Sequence, residues 1–103
     1  MVVLERPANL LTMIVVTRYR VASGDESSFA TRAHAALETL SQQRGYRTGG
    51  VGRNVDDDSL WTLTTLWDDT GSYRRALSAT DVKLAAVPLL SEAISEPTAY
   101  EEL

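Results

Sequence analysis

Residues 60–67 read L-W-T-L-T-T-L-W, from Leu60 to Trp67, and this octet decides the fold. Leucine, threonine and tryptophan alternate with no glycine, proline or charge among them, the signature of a strand. Side chains in a strand point to opposite faces in turn. Leu60, Thr62, Thr64 and Leu66 therefore share one face, and Trp61, Leu63, Thr65 and Trp67 the other. Before the octet, residues 54–59 read N-V-D-D-D-S, which is turn chemistry. Residues 46–55 then form a weaker strand pattern carrying Gly49, Gly50 and Gly52. Glycines inside a strand mark a bulge or a close backbone approach. The two runs predict a hairpin.

Toward the N-terminus, residues 14–21 predict another strand, followed by Ser23-Gly24. Met13, Val15, Thr17, Tyr19 and Val21 fall on one face; Ile14, Val16, Arg18 and Arg20 fall on the other. A helix follows. Ser23 and Glu26 have the S-x-x-E spacing of a capping box. Phe29, Ala33, Ala36, Leu37 and Leu40 cover an arc of ~100° at a helical step. Glu38, Gln42 and Ser28 lie opposite, and Gly45 is a C-terminal stop.

Beyond the octet, Asp68, Asp69 or Thr70 caps a helix in which Tyr73, Ala76, Leu77 and Thr80 share a face. Thr80 or Asp81 caps a further helical pattern: Val82, Ala85, Ala86, Leu89, Leu90 and Ile94. Pro88 sits inside it and predicts a kink or a split. Pro97 releases the chain into a last strand over residues 98–103. Residues 1–12 read as an N-terminal extension, of which residues 2–4 could pair at a sheet edge, and residues 13–103 as one domain.

The order is β-α-β-β-α-β with the second α segment doubled. This is a ferredoxin-like α+β arrangement: an antiparallel sheet with helices on one face. The other face carries Ile14, Val16, Leu60 and Leu66 among Thr62, Thr64, Arg18 and Arg20. A half-apolar open sheet predicts a two-fold homodimer packed sheet on sheet.

Composition narrows the chemistry. The chain has 103 residues, 44% hydrophobic and 23% charged, which suits one soluble globular domain. Fourteen acids against ten bases give a net charge of −4, which argues against a nucleic-acid grip. With zero cysteines, disulfides, thiolate nucleophiles, cysteine–zinc sites and iron–sulfur clusters are excluded. One histidine, His34, cannot build a multi-histidine metal site. No apolar run approaches the roughly 18 residues that cross a bilayer. Glu5, Arg6 and Pro7 interrupt the place of a signal-peptide core, so a cytoplasmic protein is expected.

Three stretches carry a family resemblance: I-V-V-T-R-Y-R-V-A-S-G-D-E (Ile14 to Glu26), L-T-T-L-W-D-D (Leu63 to Asp69), and Tyr73 with the short last strand around Tyr100. On these the chain resembles the antibiotic biosynthesis monooxygenase domain family of dimeric α+β barrels. The resemblance implies a pocket between sheet and helices where a small aromatic or quinol-type substrate is deprotonated and reacts with O₂. It implies no metal, flavin or other cofactor. A haem-degrading branch shares the fold and uses a haem-ligating His late in the chain. Residues 76–90 hold no His here, so haem degradation is not expected.

By the same resemblance, Trp67 matches a third-strand tryptophan, and a first-strand asparagine position falls on Thr17. Trp67 could wall the pocket and donate its indole N–H, or pack at the strand–helix junction. Trp61 shares its face and suits the rim or the core. Thr17 and Tyr19 carry hydroxyls that need partners if buried, either backbone or ligand. Tyr73 could hydrogen-bond a substrate oxyanion or simply pack. His34 alone has an ordinary pKa suited to general-base work near neutrality. Its helical angle, ~110° from the centre of the apolar arc at ~100° per residue, places it at the edge of the helix face. Asp56, Asp57 and Asp58 read as a solvated turn rather than a metal site. Two readings stand: a cofactor-free monooxygenase with Trp67, Tyr73 and His34 as catalytic candidates and Thr17, Tyr19 and Trp61 as substrate contacts, or a non-catalytic small-ligand binder or structural dimer.

Overall fold

Asn54 makes the central hairpin turn where it does. Its side-chain oxygen accepts the backbone N–H groups of Asp56 and Asp57, both at 2.9 Å. Asp57 in turn accepts from the Ser59 N–H at 3.0 Å and the Ser59 hydroxyl at 2.7 Å. Asn54 N–H closes the turn on the Leu60 carbonyl at 2.8 Å. The computed structural model describes residues 11–103.

The strands flanking this turn are β2 (Tyr46–Arg53) and β3 (Leu60–Trp67). β2 ends two residues earlier than the 46–55 pattern suggests, because Asn54 is committed to the turn. Its register shifts between Tyr46 and Thr48, before the glycines. Gly49 is instead the close approach: a Cβ there would lie 2.7 Å from the Thr64 carbonyl oxygen.

β1 (Met13–Arg20) pairs antiparallel with β3, placing Met13 opposite Trp67 and Tyr19 opposite Trp61. β4 (Ala99–Glu101) pairs antiparallel with the start of β1, giving the order β2-β3-β1-β4. The ladder in β4 is shorter than the 98–103 pattern. Val16 N–H to Thr98 O (2.7 Å) and Glu102 N–H to Thr12 O (2.8 Å) extend its backbone bonding on either side. The ferredoxin-like α+β fold is thus present, with strand burial alternating as the sequence requires.

Helix α1 (Glu26–Ser41) corrects the capping expectation. Asp25 N–H bonds the Ala22 carbonyl at 2.9 Å, and Gly24 sits at φ 95°, so Ser23 is used up in a turn. The N-cap falls on Asp25, whose side chain caps nothing. Only half of the box survives: the Glu26 carboxylate takes the Gly24 N–H at 2.8 Å. The apolar arc is as expected, with Phe29, Ala33, Ala36 and Leu40 buried and Leu37 packed beside them.

Past α1 the chain reverses at Gly45, φ 91°. A Cβ there would lie 2.3 Å from Ser72 Oγ, so glycine is required on two counts. Helix α2 (Thr70–Ala76) is capped by Asp69, which accepts the Ser72 N–H at 2.8 Å. Pro88 divides the last helical pattern into α3 (Thr80–Ala85) and α4 (Val87–Leu90). Proline has no N–H to continue the ladder, so it is accepted only in a first turn.

The core lies between the helices and the inner sheet face. Met13, Val15, Tyr19, Leu63 and Trp67 meet Phe29, Ala33, Ala36, Leu40, Ala76, Val82, Ala86 and Leu89. Buried alanines on α1 and at the α3–α4 junction let the helices approach closely. The outer face stays half-buried, with Ile14, Val16, Leu60 and Leu66 among polar neighbours. Arg18 and Arg20, which could have paired with a second subunit, pair within the chain: Arg18 with Glu96 at 2.6 Å and Arg20 with Asp57 at 2.6 Å. Residues 2–4 lie outside the described residues. Among the described residues no helix is long and apolar enough to cross a membrane.

Candidate functional site

The inner sheet face carries two aromatic clusters rather than one pocket. At one end, Tyr19 and Phe29 have ring centroids 5.0 Å apart, and Phe29 meets Trp61 edge-on at 5.5 Å. At the other, Trp67 meets Tyr46 at 5.5 Å (87° between planes) and Tyr73 at 5.5 Å (56°). Trp61 and Trp67 belong to one strand face but stand roughly 20 Å apart at ~3.3 Å per residue. The six candidate residues therefore do not converge.

Within each cluster a threonine two residues back on the same strand takes up the aromatic polar group. Tyr19 donates to Thr17 Oγ1 at 2.9 Å, and Thr17 donates to the Leu63 carbonyl at 3.1 Å. Trp67 Nε1 donates to Thr65 Oγ1 at 2.8 Å. Thr17, Tyr19, Thr65 and Trp67 are all buried, and no buried side-chain polar atom is left without a partner among the described residues. Trp61 lies half-buried, donates to the Asp58 carbonyl at 3.0 Å, and has the Arg53 guanidinium 5.7 Å from its ring centre. His34 is exposed on α1, away from both clusters.

Tyr73 behaves differently. It is half-buried and its ring packs on Trp67, yet its hydroxyl bonds no described residue. Burial pushes its phenol above the ordinary value, so the group remains a protonated donor at neutral pH. Tyr73 lines a cleft of about 400 Å³ between α2 and the β1–β4 edge, together with Met13, Thr70, Leu77, Ala99, Tyr100 and the charged residues Arg74 and Glu101. Tyr100 is half exposed and donates to the Pro97 carbonyl at 3.1 Å. Local sequence explains the placement. Asp69 starts α2 at a defined residue, and that start turns Tyr73 inward toward Trp67 and Arg74 outward along the cleft.

A second hollow, about 290 Å³, runs from the outer-face residues Val16, Arg18, Thr62 and Thr64 to Arg53 and Trp61 at the hairpin end of the sheet. Among the described residues no group of three or more His, Cys, Asp or Glu is placed to hold a metal.

Sequence reasoning did not single out Tyr46, Thr65, Arg74 or Glu101. Thr65 had a readable signal, since it shares a strand face with Trp67 at spacing two. Arg74 and Glu101 had none, because they come together only when β4 adds beside β1.

Comparison with known proteins agrees with this geometry. SnoaB, a cofactor-independent oxygenase from Streptomyces nogalater, superposes with a TM-score of 0.76 at 22% identity, covering 90% of this chain and 94% of that one. A conserved protein from Methanosarcina mazei Go1 gives 0.75 at 22% identity, covering 93% and 97%. At these identities the likeness shows the fold. No curated protein matches the chain. The family model of antibiotic biosynthesis monooxygenase matches residues 12–87, which is most of the described fold. With its strand order, paired helices and aromatic third strand in place, the chain belongs to the antibiotic biosynthesis monooxygenase family.

Proposed function

We propose that this chain is a cofactor-independent monooxygenase acting on a small aromatic, quinol-type substrate in the cleft beside Tyr73. The observation that carries this reading is Tyr73, which lines a partly apolar cleft, packs its ring on Trp67 and bonds its hydroxyl to no described residue. Family membership supplies the reaction class. The substrate loses a proton from an activated carbon, and the carbanion passes one electron to O₂. The radical pair joins to form a C–O bond, and the peroxide takes up a proton and loses water. In balance, a CH₂ and O₂ become a C=O and water.

The chain contributes placement and proton handling. Tyr73 donates a hydrogen bond to the substrate oxygen where negative charge develops. Trp67 positions the Tyr73 ring and does not itself reach the cleft, since it is fully buried. Glu101 is the acid among the cleft's described lining residues and accepts the proton. In this reading Thr17, Tyr19 and Trp61 stiffen the sheet, and His34 takes no part.

Residues 13–103 act as one domain in a homodimer closed through the outer sheet face, whose half-buried Ile14, Val16, Leu60 and Leu66 favour a second copy. A cysteine-free chain with no cofactor demand suits the cytoplasm.

Oxygen-electrode measurements with a panel of dihydroxynaphthalenes and anthrones test the proposal. Uptake above the uncatalysed rate is expected, falling about tenfold in Tyr73→Phe, the scale of one lost hydrogen bond near 1.4 kcal/mol. No uptake across the panel overturns it. One observation favours a second reading, a non-catalytic ligand binder: among the described residues every buried polar side-chain atom already has a partner. Native mass spectrometry showing a retained aromatic ligand, with no turnover, would decide for that reading.

A further inference from the structure

We propose that Arg74 selects the charge of the substrate: the cleft takes an aromatic carrying a carboxylate, and the Arg74 guanidinium binds that carboxylate. The inference rests on the monooxygenase reading for what happens next, and on geometry alone for the binding.

The chain has acids to spare, 14 against 10 bases. Four of the eight described arginines are matched to acids. Arg18 holds Glu96, Arg20 holds Asp57, Arg32 holds Glu92 and Arg47 holds Asp68. Arg74 stands apart. It lines the cleft beside Tyr73 and makes no hydrogen bond or ion pair with any described residue. Of the other described arginines without an acid, Arg75 donates to the Ser72 hydroxyl, Arg53 lies over the Trp61 ring, and Arg44 is not part of this cleft. Glu101 in the same cleft makes no hydrogen bond or ion pair through its side chain with any described residue either, so the two charges line one space without closing on each other.

That arrangement reads as an orientation code. Beside the two charges the cleft is lined by Tyr73, Met13, Leu77 and Ala99, a lining suited to a flat apolar body. Guanidinium presents a planar fork that matches a carboxylate with two parallel hydrogen bonds. A carboxylate on the ligand is drawn to Arg74 and repelled by Glu101. The opposite end, which bears the acidic C–H or phenol, is then delivered toward Glu101. A neutral aromatic would gain the stacking but not the orientation.

Calorimetric titration with two probes tests this: 1-naphthol and 1-hydroxy-2-naphthoate, at pH 7, on the full chain. The expected result is tighter binding of the hydroxynaphthoate by wild type. Arg74→Gln should lower that affinity about fivefold, the scale of a solvent-touched charge pair, and leave 1-naphthol unchanged. Arg74→Lys should recover part of the loss, because charge returns without the fork. Ala99→Trp, which fills the cleft from the sheet side, should weaken both probes. Arg74 is exposed, so its variants should keep the wild-type circular dichroism spectrum. Equal effects of Arg74→Gln on both probes, no effect on either, or no binding of either probe by wild type would each overturn the proposal. If the preference appears but no anthrone consumes O₂, Arg74 keeps this role and the monooxygenase reading falls.

Discussion

The indole N–H of Trp67 is donated to the hydroxyl of Thr65, two residues back on the same strand face, at 2.8 Å. Both side chains are buried. A tryptophan at the strand end is thereby a locked wall rather than a free donor. Thr65→Val keeps the shape and removes the acceptor. An unsatisfied buried N–H costs about 1–3 kcal/mol, more than the net worth of one bond, so urea denaturation should show a loss in that range. Thr65→Ser, which retains the oxygen and loses a methyl, should cost about 1 kcal/mol.

Gly45 carries a second local commitment. Its φ of 91° disfavours any side chain, and a Cβ would press on Ser72 at the start of α2. Gly45→Ala should therefore destabilise by at least about 1–2 kcal/mol. The paired variant Gly45→Ala with Ser72→Gly relieves the contact but not the backbone strain. Thermal melting should show partial recovery only.

Acid titration has a predictable site in the hairpin turn. The Ser59 hydroxyl, then Arg20, then the Ser59 N–H hold the Asp57 carboxyl down at about 2, against an ordinary 3.8. A depressed folded-state pKa means stability that is present above the unfolded value and lost as pH falls. The loss from this turn should run from near pH 4 to near pH 2. Carbon-detected NMR of the Asp57 carboxyl should read about 2 in wild type, and Ser59→Ala should move it upward.

Ile14 and Leu66 face each other across β1 and β3 on the outer sheet face. If that face closes on a second copy, Leu66→Lys places a charge in the contact and should convert a dimer to a monomer in sedimentation velocity. The substitution leaves the inner face untouched, so the circular dichroism spectrum should not change. A wild-type chain that sediments as a monomer at micromolar concentration would exclude the homodimer.

Much of the fold was legible because alternation and helical spacing are local. The octet ending in Trp67 declared both faces of β3, and Phe29, Ala33, Ala36 and Leu40 declared the buried face of α1. Pro88 announced its split. The capping box failed for an equally local reason: Ser23 and Gly24 favour a turn, and a turn there delays the helix to Glu26. Residue choice alone does not say which of two short-range hydrogen-bond patterns wins.

The candidate site was legible only in part. Tyr73 and Trp67 stand six residues apart and meet because Asp69 starts a helix between them. Thr17, Tyr19 and Trp61 share the expected face, yet the Tyr19 hydroxyl is spent on Thr17, the Thr17 hydroxyl on the neighbouring strand, and the rings gather at the far end of the sheet. By itself the sequence determined the elements, their faces and the poverty of thiol and imidazole chemistry, since these follow from residue type and near-neighbour spacing. Tertiary structure alone decided that Arg74 on α2 and Glu101 on β4 share a cleft with Tyr73. Their meeting depends on β4 pairing with β1 across more than eighty residues of chain, a contact created by backbone hydrogen bonds that carry no side-chain signal.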